Sequence, residues 1–245
     1  MRTIKPQQTI PVPVKRRRTA SRQRPPNQWR SGRNRKEKSE LVRDNLLWAA
    51  GQVVGEVGYA AASIARITEL ANVAQGTFYN YFDSRQDILD TLLPSLGKKM
   101  LEHVRERSLG GRNFAELEER SFLAFFEFID NEPHFFRILN EAESFAPTAH
   151  KMHFDAVSER YKRFLRHSFD NGEFPGYEAE ELEAIAFMLM ATRSYLAIRY
   201  VYGDGKCEDL PENVVKTYMK FVRFGLEGAD QRGDGGKSKA PKKKR

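Results

Sequence analysis

Gln75, Thr77, Tyr79 and Asn80 lie within the stretch "NVAQGTFYNYF" (residues 72–82), beside Gly76, Phe78, Tyr81 and Phe82. Their amide and hydroxyl groups are hydrogen-bonding groups, and the chemistry they suit is recognition. Catalytic chemistry finds less support. The chain has no phosphate-binding glycine loop and no zinc-type ligand spacing. Its histidines, His103, His134, His150, His153 and His167, fall in helical segments without a nucleophile motif. "HKMH" (residues 150–153) has the i, i+3 spacing of a metal pair, but no third ligand follows from the pattern, so no metal and no cofactor is expected. Cys207 is the single cysteine, which excludes an internal disulfide and fits a reducing cytoplasm. The expectation is a protein that is not an enzyme.

The recognition residues need a short helix to present them. At about 100° per residue, Phe78, Tyr81 and Phe82 fall on one side and Gly76, Tyr79 and Asn80 on the other, with Gln75 and Thr77 flanking. A helix this short is unstable alone, so the aromatic side must anchor it to its neighbours. Gly76 weakens a helix, and its use there is to let backbone approach a bulky partner. Upstream, Ser63 is a plausible N-cap for a helix carrying Ile64, Ile67, Leu70 and Ala71 on one side. Asn72 tolerates the left-handed conformation that ends it. A longer helix from Arg35 to about Glu56 precedes, with Gly58 as its stop. The arrangement reads as a helix-turn-helix whose second helix is offered to a DNA major groove.

"ASIARITELANVAQGTFYNYFDSRQDIL" (residues 62–89) resembles the DNA-binding segment of the TetR family of bacterial transcriptional regulators, closely over about residues 37–90. The resemblance implies an all-α fold, with an N-terminal three-helix DNA-binding domain ahead of a larger helical domain for effector binding and dimerisation. It implies DNA contacts by Ser63, Gln75, Gly76, Thr77, Tyr79 and Asn80, and a phosphate contact by Arg85 at the start of the fourth helix. The chain departs from the family pattern where Ala74 replaces a common serine and Asn72 a common glycine. Arg66 stands at a frequently acidic position, where it would add a backbone contact. The function implied is that of a ligand-responsive repressor binding a palindromic operator as a dimer.

Charge divides unevenly along the chain. Residues 1–36 carry twelve Lys or Arg and no acid; residues 228–245 carry seven basic residues and two acids. That leaves residues 37–227 with 22 basic and 31 acidic residues, a net −9 against +8 for the whole. Residues 1–34 and 228–245 therefore read as disordered basic tails able to attract phosphates. A rival function follows from them: a packaging protein binding nucleic acid without sequence preference. The N-terminus lacks the apolar core of a secretory signal, and no apolar run would span a membrane. The expected location is the bacterial cytoplasm, in association with the nucleoid.

Between the tails the domains are expected at 35–92 (DNA binding) and 93–227 (effector binding and dimerisation). "ERSFLAFFEFIDNEPHFFRIL" (residues 119–139) places Phe122, Phe125, Phe126, Phe128, Phe135 and Phe136 at helical spacings, broken at Pro133. Most of them should pack a core and some should line a cavity, which leans towards an apolar or acyl effector. Arg193, His134 and Arg137, with Glu141 and Glu143 nearby, are its candidate polar anchors. "AIAFMLMATRSYLAI" (residues 184–198) is apolar almost all round from Ala184 to Ala191, so it needs cover on two sides. A twofold partner supplies the second, with Phe187, Met190, Ala191, Tyr195, Tyr218 and Phe221 as interface candidates. The expected partners are duplex DNA, a second copy of the chain and a small-molecule effector, with no membrane.

Overall fold

A computed structural model describes residues 34–202 and 210–226; both tails, apart from Asn34, and Cys207 lie outside the described residues. The described residues are helical, without strands. Helix α1 spans Arg35–Ala61 and is started by the Asn34 side chain, which accepts from the Glu37 amide. Gly58 interrupts it with φ 83°, so the expected stop is present as a break inside the helix, and the chain runs one more turn to Ala61. Helix α2 (Ile64–Ala71) is capped by Ser63 and closed by Asn72 in the left-handed conformation, φ 56° and ψ 46°. Helix α3 is a single turn, Gln75–Phe78.

Helix α4 runs from Arg85 to Ser108 behind the Ser84 cap. It passes unbroken through the boundary expected at residues 92–93, with Pro94 inside it. The two domains therefore share one rod. Helices α5 (Phe114–Asn131), α6 (Phe135–Phe145), α7 (Pro147–Asp170), α8 (Leu182–Ala197) and α9 (Glu212–Leu226) build the second unit, and a π-helical turn over Ile198–Tyr202 extends α8. The break expected at Pro133 separates α5 from α6.

The core follows from the apolar stripes. Leu46, Ala50, Val54, Ile67, Phe78 and Leu93 close the three-helix head. The expected phenylalanines, Phe122, Phe125, Phe126, Phe128, Phe135 and Phe136, are all buried in the second unit. Helix α4 packs most heavily on α5 and α7, and α1 on α6. Small residues set that last contact. A side chain at Gly55 would collide with His134, and one at Gly58 with Glu141 and Arg137.

Candidate nucleic-acid interface

Three helices position the α2–α3 surface. The side chain of Asn45 on α1 donates to the Ala71 carbonyl at 2.7 Å, tying α1 to the end of α2. Phe78 and Phe82 are buried beneath α3, 5.6 Å apart between ring centres, with Tyr81 half-buried beside them. Above them Gln75, Gly76, Tyr79 and Asn80 are exposed, and Thr77 is half-buried. Tyr79 is 58% exposed, although its ring meets Phe78 edge-on. Nothing lies within 4 Å of where a Gly76 side chain would point. The two faces expected from the helical wheel are thus separated, and the outward one is open.

Other expected contacts fall differently. Ser63 Oγ accepts from the Arg66 amide at 3.3 Å, so its hydroxyl caps α2. Arg66 is exposed on α2. Arg85 is the clearest correction. Its guanidinium is turned inward and donates to the carbonyls of Tyr59, Ala60 and Ala62, where α1 ends. Its role here is to join α4 to α1, and a phosphate would have to compete with three carbonyls.

Two expected effector anchors are also placed elsewhere. Arg137 donates to Glu141 at 2.7 Å and to the carbonyls of Gly55 and Glu56 at 3.0 and 3.1 Å. Glu141 in turn accepts from the Tyr59 amide at 2.8 Å. His134 fills the notch at Gly55. Both belong to the α1–α6 seam and lie outside the cavity of the second unit.

That cavity has a volume of about 280 Å³ and lies between α4, α5, α6, α7 and α8. Met100, Val104, Phe125, Phe135, Leu139 and Phe154 make much of its wall, and Arg193 reaches it. Arg193 is buried and pairs with the fully buried Glu118 at 2.7 Å. Glu118 also accepts from the Tyr161 and Tyr218 hydroxyls, and Arg193 donates to Ser121 Oγ at 3.1 Å. Burial pushes both phenols up, while the Glu118 carboxylate holds the Arg193 charge against its desolvation. Glu118 had no distinguishing signal in the acidic run "ELEER"; its partner, a lone arginine in an apolar helix, was the available clue.

His153 also lines the cavity, with Nδ1 buried against the backbone of Gly97 on α4 and without a hydrogen-bond partner. Burial, aided by His150, pulls its pKa down to about 4. The other member of "HKMH", His150, packs its ring on Phe154 at 4.7 Å.

The expected dimer residues split into two groups. Phe187, Ala191, Tyr195 and Phe221 are exposed on α8 and α9, joined by Met188 and Phe224. Tyr218 and Met190 face inward instead. Tyr218 is committed to Glu118 and stacks on Phe122 at 4.0 Å, and Met190 lines the cavity.

Comparison with known proteins agrees with this geometry. A family model described as "Bacterial regulatory proteins, tetR family" matches residues 46–92. An uncharacterized HTH-type transcriptional regulator, YvdT of Bacillus subtilis (strain 168), is 35% identical over 71 residues, covering 29% of this chain and 37% of that protein. The fatty acid metabolism regulator protein of the same organism is 36% identical over 61 residues, 25% of this chain and 31% of that protein. These alignments thus span well under half the length of those relatives. A crystal structure of the transcriptional regulator FadR from Bacillus subtilis in complex with stearoyl-CoA shares the fold. It has a TM-score of 0.65 at 19% identity and covers 75% of this chain and 98% of that one.

Proposed function

We propose that this chain, a tetR-family protein by residues 46–92 and by fold, is a sequence-specific DNA-binding regulator that acts as a dimer and releases its operator in response to an apolar or acyl small molecule. The observation that carries the reading is the division of α3: aromatic anchors buried beneath it, and Gln75, Gly76, Tyr79 and Asn80 open above it. A major groove admits such a helix, amide and hydroxyl groups read base edges and phosphates there, and Gly76 lets the backbone come close.

The dimer reading is supported by the apolar residues exposed on α8 and α9, Phe187, Ala191, Tyr195 and Phe221, since exposed apolar patches mark interaction surfaces. A twofold through that face would present two α3 helices to half-sites about one DNA turn or slightly more apart, hence a palindrome. The effector class is supported by the apolar cavity and by the solved relative that holds stearoyl-CoA. Such a ligand regulates only by binding the DNA-competent and DNA-incompetent states unequally.

The test is selection of duplexes from a random pool with the full chain. A recovered palindrome supports specificity and symmetry together. Retention of duplexes without sequence enrichment, lost to random competitor, would instead favour packaging through the basic tails.

A further inference from the structure

Several arginines of the second unit have an internal partner. Arg107 pairs with Glu127, Arg112 with Glu116 and Arg166 with Asp170, while Arg120 donates to the Leu109 carbonyl. Arg105, Arg160 and Arg163 differ: none of them pairs with a carboxylate among the described residues. Arg105 on α4 and Arg160 on α7 line the cavity, and Arg163 follows Arg160 one turn along α7. Arg105 is exposed and Arg160 half-buried, so these two mark the cavity's water side, with the exposed Arg163 beside Arg160 just outside the lining, whereas Arg193 is buried deep within it.

The placement of like charges is unfavourable in itself. Arg160 loses water to burial, and Arg105 and Arg163 repel its charge; all three effects weaken its hold on its proton. A basic residue near a helix C-terminus is favoured by the helix dipole, which accounts for Arg105 at the end of α4. It does not account for Arg160 and Arg163, which lie well inside α7. Deeper in, Arg193, the one buried cation among the described residues, is already neutralised by Glu118. The lumen is therefore apolar and charge-balanced, and the mouth carries uncompensated positive charge.

We propose that Arg105, Arg160 and Arg163 form an anion subsite, and that the cavity's ligand is an amphiphile whose apolar chain fills the lumen while its carboxylate or phosphate is held at the mouth. The proposal rests on the reading of the cavity as the effector site and adds to it the charge and orientation of the ligand. Guanidinium groups suit both anions, because their planar donors can meet two oxygens at once. The lumen is small beside ordinary ligand sites, so a large polar head such as a nucleotide ester would stay outside, where the arginines are.

The test is calorimetric titration of the full chain, without DNA, with decanoate, decanoyl-CoA and the uncharged decanol. At least one of the two anions should bind about tenfold or more tightly than decanol, and high salt should weaken only the anions. Preference for decanoyl-CoA alone identifies the phosphate-bearing head as the source of the anion; equal preference for decanoate identifies the carboxylate. The combined variant R105Q/R160Q/R163Q should lose the preference, keep its affinity for decanol, and melt no lower than the parent because like charges have been removed. Decanol binding as tightly as both anions overturns the proposal on the parent protein alone. So does a folded variant that keeps the preference. Failure of all three probes removes the cavity as an amphiphile site and the proposal with it, while the duplex selection judges the DNA reading separately.

Discussion

Adding one methyl group at Gly76 should move stability and DNA binding in opposite directions. Gly76 is the second residue of α3, exposed, with no atom within 4 Å of the place a side chain would occupy. Alanine there meets no clash and gains about 0.5–1 kcal/mol, because glycine loses more backbone freedom on folding. The contrast is Gly97, where the same methyl would lie 2.3 Å from His153 Nδ1; G97A should lose about 1–3 kcal/mol through overpacking. At the DNA surface the sign reverses. If the Gly76 backbone lies against the duplex, the methyl has to be accommodated by moving the helix out. At about 1–3 kcal/mol that is roughly a 5- to 150-fold loss of affinity. Urea melts measure the first effect. Fluorescence anisotropy on the selected duplex measures the second, under one salt condition. A G76A protein that binds as tightly as the parent would refute the claim that this face approaches DNA. One less stable than the parent would refute the open geometry.

Other outcomes follow from the second unit. R193M strands a carboxylate with no exposed surface and should lose about 3–5 kcal/mol in a urea melt, whereas E118Q/R193M keeps an acceptor for both tyrosines and should recover at least half; a double variant as unstable as the summed singles would be the contrary result. His153 binds its proton less readily folded than unfolded, so stability is fully present above the ordinary histidine range and falls as pH drops from about 6.5 towards 4, by a few kcal/mol; H153Q should flatten that slope in urea melts across the window, and an unchanged slope would assign the pH dependence elsewhere. Y195E/F221E alters two side chains that are 74% and 69% exposed, so the subunit should stay folded while sedimentation shows monomers; a dimer that persists would place the twofold on another face.

What the sequence made legible was local. Ser63, Asn72, the ring spacing of Phe78 and Phe82 and the break at Pro133 act within a turn or two of themselves, and each is where its chemistry requires. What stayed hidden depended on distant partners. Arg85 reads as a phosphate ligand until the end of α1 is seen to need capping 23–26 residues upstream. Arg137 and His134 look like effector anchors until the gap left by Gly55 and Gly58 appears. Tyr218 and Met190 share an apolar pattern with Phe221 and Phe187. Only the position of Glu118 and the cavity decides which of them turn inward. The boundary was obscured because periodicity alone does not reveal that one helix serves two domains.

These hidden residues converge on one place. The end of α1 leads directly into the Ser63 cap and helices α2 and α3, and it is held from two sides. Arg85 reaches it from the first turn of α4, and Arg137 and Glu141 reach it from α6. The same two helices wall the cavity, α4 through Met100, Val104 and Arg105, and α6 through Phe135 and Leu139. A ligand that alters the distance between α4 and α6 cannot leave all of these hydrogen bonds as they are. Gly58, with its positive φ and no room for a side chain, is the backbone joint at which that segment can turn. The strain has to pass either into broken caps or into the orientation of α2 and α3. On the proposed function, a duplex that fixes α2 and α3 would by linkage alter the affinity of the cavity by the same factor that the ligand alters the affinity for duplex.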